Sequence, residues 1–427
     1  MGRKVFLSFL GLGSYNKETK KYFYNKTNYE LNGNNYLSEF VQISEISLLE
    51  KDFDKIIILS TKTSSQSHFS NLKSQLVNLG VDLDKLLEVE ITENMDAKSQ
   101  WSWFENILSI IDFEDEITFD LTHGFRVMPI VLSTAINFLK KIKNIDISAV
   151  YYGAYQYGQA ITPIIDMKEF YIINEWTDAV SRLVEDADAR KLAEVSQREG
   201  NLQLPELNNK ELIKAFEDLT NSIRNVEVQR IGEKAGDALR IIEKYKENAS
   251  TTSKLMLNAV WEKFVGISIS TDKYNKDYFL LQLEIIKLLL EHKLYMQAFT
   301  VMREMIGSVG MLIKKDDVKT TNKKGRLKRT YADIFISMLR IEERKWKFNG
   351  DKENQKNNLL DLYRKIEEIK ALNLIRSLLK ELVKYRNGFD HAWTSRSMFD
   401  DIDNKGNKFL DKLKKFINLL IENNILI

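Results

Sequence analysis

Among 427 residues, the string Tyr385-Arg386-Asn387-Gly388-Phe389-Asp390-His391-Ala392-Trp393 holds the residue types best suited to cutting a phosphodiester. An imidazole that titrates near neutral pH can move a proton to or from a ribose 2′-hydroxyl or a leaving 5′-oxygen. A guanidinium can hold the phosphate and the negative charge that develops on it. Asn387 can orient either by hydrogen bonding. No carboxylate cluster accompanies them, so a two-metal nuclease is not supported. In-line attack by the 2′-hydroxyl would leave a 2′,3′-cyclic phosphate. Arg386 and His391 are five residues apart, about 140° round a continuous helix. Either the helix breaks near Asn387-Gly388, with Asp390 capping a new helix that holds His391 in its first turn, or the working site draws on two copies of the chain. The bland reading is a surface histidine near a helix start, since a lone Arg-x4-His pair is common by chance.

A second string, Ile117 to Leu139, points to ligand binding rather than to bond breaking. Ile117-Thr118-Phe119 favours a strand that ends at Asp120. Leu121-Thr122-His123-Gly124 is a polar turn, and Pro129 is tolerated only in the first turn of a helix. The residues that follow, Ile130, Val131, Leu132, Ala135, Ile136, Phe138 and Leu139, are almost unbroken apolar, which predicts a helix buried on a sheet rather than a surface one. Loops at the carboxyl ends of such strands are where open α/β sheets bind ligands, and free N–H groups there favour anions. Thr122, His123 and Arg126 add donors. The competing reading is an ordinary strand–helix connection whose polar residues only cap the helix.

The elements that must position these strings can be read along the chain. Lys4–Leu10, Lys55–Ser60, Leu87–Ile91, Ile117–Phe119 and Ile145–Tyr152 are apolar runs of strand length, alternating with helical patterns through about residue 155. That order predicts a Rossmann-like parallel sheet with right-handed crossovers. Four polar strand ends, Gly11–Tyr15, Thr61–Ser65, Asp120–Arg126 and Tyr152–Tyr155, are then available to one edge. Gly11-Leu12-Gly13 lacks the third glycine of the dinucleotide fingerprint, which disfavours NAD. Tyr22–Tyr36 reads as a hairpin or a long loop. From Trp176 onward the pattern is helical, with segments at Trp176–Val195, Lys210–Asn248, Lys254–Ile267, Tyr278–Ile313, Ala332–Lys345, Asn358–Tyr385 and Lys408–Leu420, and with Arg198–Asn209 as the best linker. The fold class is therefore α/β followed by all-α.

Composition narrows the chemistry. The formal charge is +2, so any nucleic-acid contact must come from a local patch. One basic run, Lys314–Arg329, has eight basic residues and two aspartates; it suits phosphate attraction but equally a solvated loop. There is no cysteine and only four histidines, His68, His123, His292 and His391. Thiolate nucleophiles and disulfides are excluded, a multi-histidine metal site is disfavoured, and no metal is expected. No apolar run long enough for a membrane span is present, and a cytoplasmic location is expected.

The string Asp120-x-Thr122-His123-Gly124 followed by Phe125-Arg126 resembles the DxTHG signature of CRISPR-associated CARF-domain proteins. The likeness extends through Val150–Tyr155, Ile164–Phe170 and Asn174–Ala179, about the first 180 residues in order. Arg386-Asn387 with His391 resembles the RNxxxH motif of HEPN ribonucleases, and Arg303-Glu304 resembles an Arg-Glu pair of an early HEPN helix. The resemblance implies a CARF-like sensor over residues 1–180, a helical linker region over 181–250 and a HEPN-like ribonuclease domain over 251–427. It implies a homodimer or higher assembly whose sensors bind a cyclic oligoadenylate as allosteric activator, tetra-adenylate favoured over hexa-adenylate, with no cofactor. It also implies metal-independent cleavage of single-stranded RNA by Arg386, Asn387 and His391 from two copies, in type III CRISPR defence. Gly11, Gly13, Ser14, Thr61, Lys62, Thr122, His123, Arg126 and Gly153 are expected near the activator, with Asp120 ordering the loop. Two alternatives stand beside this: a non-enzymic ligand-responsive binding protein, and an enzyme that degrades the messenger at the Thr61 or Thr122 loop.

Overall fold

The computed structural model describes residues 2–49, 52–94, 96–124, 127–156, 158–197, 204–269, 271–314, 317–321, 329–391 and 401–427. The chain divides into two compact units, Met1–Asn174 and Glu175–Ile427.

The first unit carries ten strands: β1 (Lys4–Leu10), β2 (Ser14–Asn16), β3 (Lys21–Phe23), β4 (Thr27–Leu31), β5 (Asn34–Ser38), β6 (Lys55–Thr61), β7 (Leu86–Ile91), β8 (Glu116–Asp120), β9 (Asp146–Gly153) and β10 (Ile161–Asp166). Eight of them form one sheet in the order β5-β4-β10-β9-β8-β1-β6-β7. The run β9-β8-β1-β6-β7 is parallel throughout. Val5, Leu7, Ile57 and Ile117 of these strands lie in one apolar cluster and Phe6, Ile56 and Ile58 in another. That is why the strand sequences are apolar without alternation: both faces are covered. β1 has β6 and β7 on one side and β8 and β9 on the other, so the winding reverses between β1 and β8. The crevice outside the carboxyl ends of those two strands is the place where such sheets bind ligands.

The sheet is mixed rather than wholly parallel. β10 runs antiparallel to β9, and β4 pairs parallel to β10 while β5 returns antiparallel to β4. The connection from Gly153 to Ile161 is too short for the crossover that a parallel partner needs. Within Tyr22–Tyr36 the chain makes the β4–β5 hairpin, turning on Asn32-Gly33 with φ of 53° and 83°, as a two-residue hairpin turn requires.

Five helices complete this unit: α1 (Val41–Leu49), α2 (Lys62–Ser64), α3 (Ser70–Asn78), α4 (Ala97–Ile110) and α5 (Met128–Ile142). α5 departs from the sequence expectation. Met128, Leu132, Ala135, Ile136 and Leu139 are buried against the sheet, but Ile130, Phe138 and Ile142 remain 67%, 43% and 58% exposed. They follow one another, with Thr134, at four-residue spacing along the outer side. A helix on a sheet has only one face covered by the sheet, so the apolar residues of the other face stay exposed. Phe138 stacks edgewise on Phe104, and Phe104 on the exposed Trp101 of α4, so the outer apolar surface continues across both helices.

The division between the units falls within α6 (Lys168–Asp186). The second unit continues with α7 (Arg190–Ser196), α8 (Lys210–Arg224), α9 (Val228–Lys246), α10 (Thr251–Phe264), α11 (Lys276–Glu291), α12 (Tyr295–Val309), α13 (Thr330–Arg340), α14 (Asp351–Glu368), α15 (Leu372–Asp390) and α16 (Ile402–Glu422). Residues 181–250 thus supply the end of α6 and helices α7 to α9. Four expected single helices are split: α6 from α7, α8 from α9, α11 from α12, and α14 from α15. Part of the expected linker, 198–203, lies outside the described residues, as does Tyr157. Phe299 of α12 sits among Tyr385 and Phe389 of α15 and Phe409 of α16, with ring centroids 5.6, 5.9 and 5.8 Å away. Gly406 lets α16 close on that cluster, since a Cβ there would stand 2.6 Å from the Leu290 side chain.

Candidate functional site

The carboxyl ends of β1, β8 and β9 are tied together by one buried carboxylate. Asp120 is fully buried at the end of β8. It accepts from Ser8 Oγ of β1 at 2.6 Å and from the Thr122 amide and hydroxyl at 2.8 and 2.5 Å. Thr122 Oγ1 in turn accepts from the Gly153 amide at the end of β9, at 2.7 Å. Gly153 has no room for a side chain without pressing the Thr122 methyl, 3.1 Å from an added Cβ. Asp120 therefore orders the loop, and Thr122 is the link between two strand ends.

His123 follows in the same turn. Its ring packs 5.3 Å from Tyr24, and Tyr24 packs 4.8 Å from His68. An added Cβ on Gly11 would meet His123 at 3.3 Å and the Tyr24 hydroxyl at 3.0 Å, so the glycine after β1 permits this close approach. His68 is buried and its Nε2 lies 2.9 Å from the Leu12 carbonyl. His123 Nε2 and the Tyr24 hydroxyl are buried without hydrogen-bond partners. Burial pushes the His123 imidazole below its ordinary value, with Asp120 pulling it up and His68 pushing it further down. Burial pushes the Asp120 carboxyl up, opposed by His123, Ser8 and Thr122.

Directly behind the loop, α1 contributes two buried polar residues. Gln42 Nε2 donates to the Phe9 carbonyl at 2.8 Å, leaving Oε1 unpartnered. Glu45 is fully buried with neither carboxyl oxygen partnered. Burial, and then the Asp120 charge, raise its carboxyl well above the ordinary 4.5, which favours its neutral form. Burial likewise holds the Tyr29 and Tyr151 phenols up at about 12. Buried polar atoms left open beneath a loop mark a place where water or ligand atoms complete the bonding.

The other expected ligand residues are placed differently. Thr61 is buried, and its hydroxyl and backbone close a capping box with Ser64, so its side chain is already engaged. Lys62 is exposed at the end of β6. Gly13 has φ of 67°, and a Cβ there would fall 2.3 Å from the Phe23 carbonyl; it opens the β2–β3 hairpin. Ser14 is exposed in β2. Arg126 lies outside the described residues. The structure thus brings Gly11, Thr122, His123 and Gly153 together, and adds His68, Tyr24, Gln42 and Glu45. Of the added four, only His68 carried a sequence signal, its place one turn beyond the Thr61 loop.

In the second unit the Arg-Asn-His string ends α15. The helix does not break at Asn387-Gly388: it runs to Asp390, and His391 is its C-terminal cap, its amide bonded to the Asn387 carbonyl at 3.1 Å. Asp390 is therefore a helix-end residue, not the cap of a new helix. Gly388 continues the helix because it faces inward and is buried. Arg386 and Asn387 are half-buried and His391 is exposed. Arg386 pairs with Asp390 one turn on at 3.2 Å, and its Nε is buried without a partner. Residues 392–400 lie outside the described residues. Arg303 and Glu304 form an ion pair on α12, extended by Arg329, whose guanidinium reaches Glu304 Oε2 at 3.2 Å. Of the basic run, 315–316 and 322–328 are outside the described residues; Lys314 stands 5.5 Å over the Tyr331 ring and Lys319 pairs with Glu233. Among the described residues no group of acidic and histidine side chains could hold a metal, and no helix is long and apolar enough to cross a membrane.

Residues 5–156 match the sequence profile of the CARF domain of the CRISPR system endoribonuclease Csx1. The first unit therefore contains a domain of CARF type. A CRISPR-associated protein of Methanocaldococcus jannaschii is 26% identical over 188 residues, 40% of this chain and 28% of that protein. The likeness thus spans little more than a quarter of the relative's length. Among solved structures, Enterococcus italicus Csm6 bound to cyclic hexa-2′-fluoro-hexa-dAMP aligns over 99% of this chain and 95% of that one, at 12% identity and a TM-score of 0.43. That score is too low to transfer a function.

Proposed function

We propose that the chain is a CRISPR-associated endoribonuclease switched on by a cyclic oligoadenylate. The observation that carries the reading is the Asp120-Thr122-Gly153 link at the point where the CARF-type sheet reverses its winding. It fixes a polar, anion-suited loop with unsatisfied groups around it, where an α/β sheet receives its ligand. Thr122, His123, Gly11 and Gly153 would line the activator, with Lys62 and Arg126 meeting its phosphates.

Two sensors would face each other over the apolar outer side of α5, where Ile130, Phe138 and Ile142 are exposed. Burying such side chains is worth about 1.5–3 kcal/mol each. The pairing would also bring two α15 ends into one cleavage site. There His391 would take the 2′-hydroxyl proton as the 2′-oxygen attacks phosphorus and the P–O5′ bond breaks, and would pass a proton on to the leaving 5′-oxygen, giving a 2′,3′-cyclic phosphate and a 5′-hydroxyl. Arg386 would hold the phosphate in place of its present partner Asp390, and Asn387 would orient it. No step needs a metal. An activator can favour cleavage only by binding the active arrangement better than the resting one. The test is cleavage of single-stranded RNA with chelator present, against cyclic tetra- and hexa-adenylate in parallel. Cleavage that appears only with one ring supports the reading; none with any ring refutes it.

A further inference from the structure

The second unit holds a cavity that neither the sensor loop nor the α15 motif uses. Its volume is about 410 Å³, inside the range of roughly 300–1,000 Å³ typical of ligand pockets. Its walls come from the turn between α8 and α9, from α11 and α12, and from the start of α13. Gln229, Tyr278, Gln282, Thr300, Glu304 and Arg329 are among the polar residues that line it.

Gln282 is the informative one. It is 2% exposed, faces this cavity, and its amide has no hydrogen-bond partner among the described residues. A carboxamide carries two donors and an acceptor, and here they open on the cavity rather than into sealed core. A ligand with a matching donor–acceptor edge would engage them. A second feature points the same way. Val228 and Gln229 open a 19-residue helix whose cap position, Glu227, makes no side-chain capping bond. The positive end of the α9 dipole therefore meets the cavity uncapped. Arg329 stands on another wall, donating to the Glu304 carbonyl at 2.8 Å and to Ser308 Oγ at 3.1 Å.

The two carboxylates in the lining are already matched. Glu304 is paired with Arg303 and Arg329, and Glu227 with Arg230, so they neither invite a cation nor bar an anion.

We propose that this cavity binds one nucleotide, the Gln282 amide meeting the edge of the base and the first turn of α9, with Arg329, receiving the phosphate. Glutamine amides read base edges through such paired bonds. The pocket is separate from the α15 motif. Phe299 touches α15, whereas Thr300 and Glu304 lie about 100° and 140° further round α12. The nucleotide bound here is not the one that Arg386 and His391 would act on. Its source is either a free 5′-mononucleotide or one unstacked residue of a single-stranded RNA.

The full chain is titrated calorimetrically with 5′-AMP, GMP, CMP and UMP, and in His391→Ala background with the four homopolymeric decaribonucleotides. Each titration is repeated on Gln282→Leu, Gln229→Ala and Thr122→Ala. At least one ligand binds, Gln282→Leu weakens it tenfold or more, Gln229→Ala weakens it severalfold, and Thr122→Ala leaves it unchanged. Mononucleotide binding assigns a free nucleotide, and binding by decamers alone assigns an RNA residue. If Gln282→Leu does not fold, Gln229→Ala, on a half-exposed helix start, decides. No ligand whose affinity responds to either glutamine, or one abolished by Thr122→Ala, overturns the pocket. Binding is read without cleavage, so the outcome is independent of the ribonuclease reading.

Discussion

The strand-end loop and the end of α15 are built in opposite ways. The loop is fixed from all sides: Asp120 holds Ser8 and Thr122, and Thr122 holds Gly153, all from one chain. The α15 end is held by Tyr385 and Phe389 packing on Phe299, while its guanidinium is less fully engaged. Among the described residues Arg386 has one ion pair, to Asp390 on the same helix, and a buried Nε with no partner. A preorganised pocket can bind without help, whereas a helix end with an unpartnered guanidinium nitrogen has a group left to engage. That contrast is what a ligand-gated cleavage site needs, and each experiment below is aimed at one side of it.

The largest effect belongs to the α15 end. His391→Ala should lower RNA cleavage by about 10²–10⁴-fold, the usual worth of a general acid or base, with activator affinity unchanged in a binding assay. Cleavage within severalfold of the unsubstituted chain would remove His391 from the chemistry and the contrast with it. The next effect belongs to the loop. Thr122→Val keeps the shape but deletes the hydroxyl that joins Asp120 to the Gly153 amide. A lost buried acceptor costs about 1–3 kcal/mol, so activator affinity should fall roughly tenfold to a hundredfold while His391-dependent cleavage at saturating activator persists. An unchanged dissociation constant would show that the loop is not the pocket.

A smaller effect tests what completes the α15 end. Ile130→Lys places a charge on the outer face of α5. Sedimentation equilibrium should show a dimer weakened at least tenfold, and cleavage should become dependent on protein concentration. If association is untouched, α5 is not the pairing face.

How much of this was legible in the residues alone follows from where the information resides. The five parallel strands were visible because strands covered on both faces must be apolar throughout. The loop was visible because Asp120, Thr122, His123 and Gly124 are adjacent in sequence. β10 was not, since its apolar residues are short and interrupted by Pro163. The helical unit was legible in kind but not in its turns. α8–α9, α11–α12 and α14–α15 reverse at Val226, Lys293 and Lys370, with φ of 57°, 56° and 57°. No glycine or proline announces those turns; tertiary packing imposes the left-handed backbone on ordinary residues. Tyr24, Gln42 and Glu45 were equally silent, because each reaches the loop from another element and nothing in its own neighbourhood marks it.

Glu45 gives the smallest and most selective test. Its carboxyl is raised above 4.5 by burial and by the Asp120 charge, so the folded chain holds a proton that the unfolded chain releases. A group of this kind contributes stability in full below its unfolded pKa and loses it as pH rises toward the folded value. Glu45→Gln keeps the size and the neutral amide but has nothing to ionise. The melting temperature of the variant relative to the unsubstituted chain should therefore rise steadily from pH 5 to pH 8, by a few degrees, with no change near pH 4.5. A difference flat across that window would mean that Glu45 is charged in the fold. The loop would then hold two carboxylates rather than one, and its preference for a ring of phosphodiesters would lose its electrostatic basis.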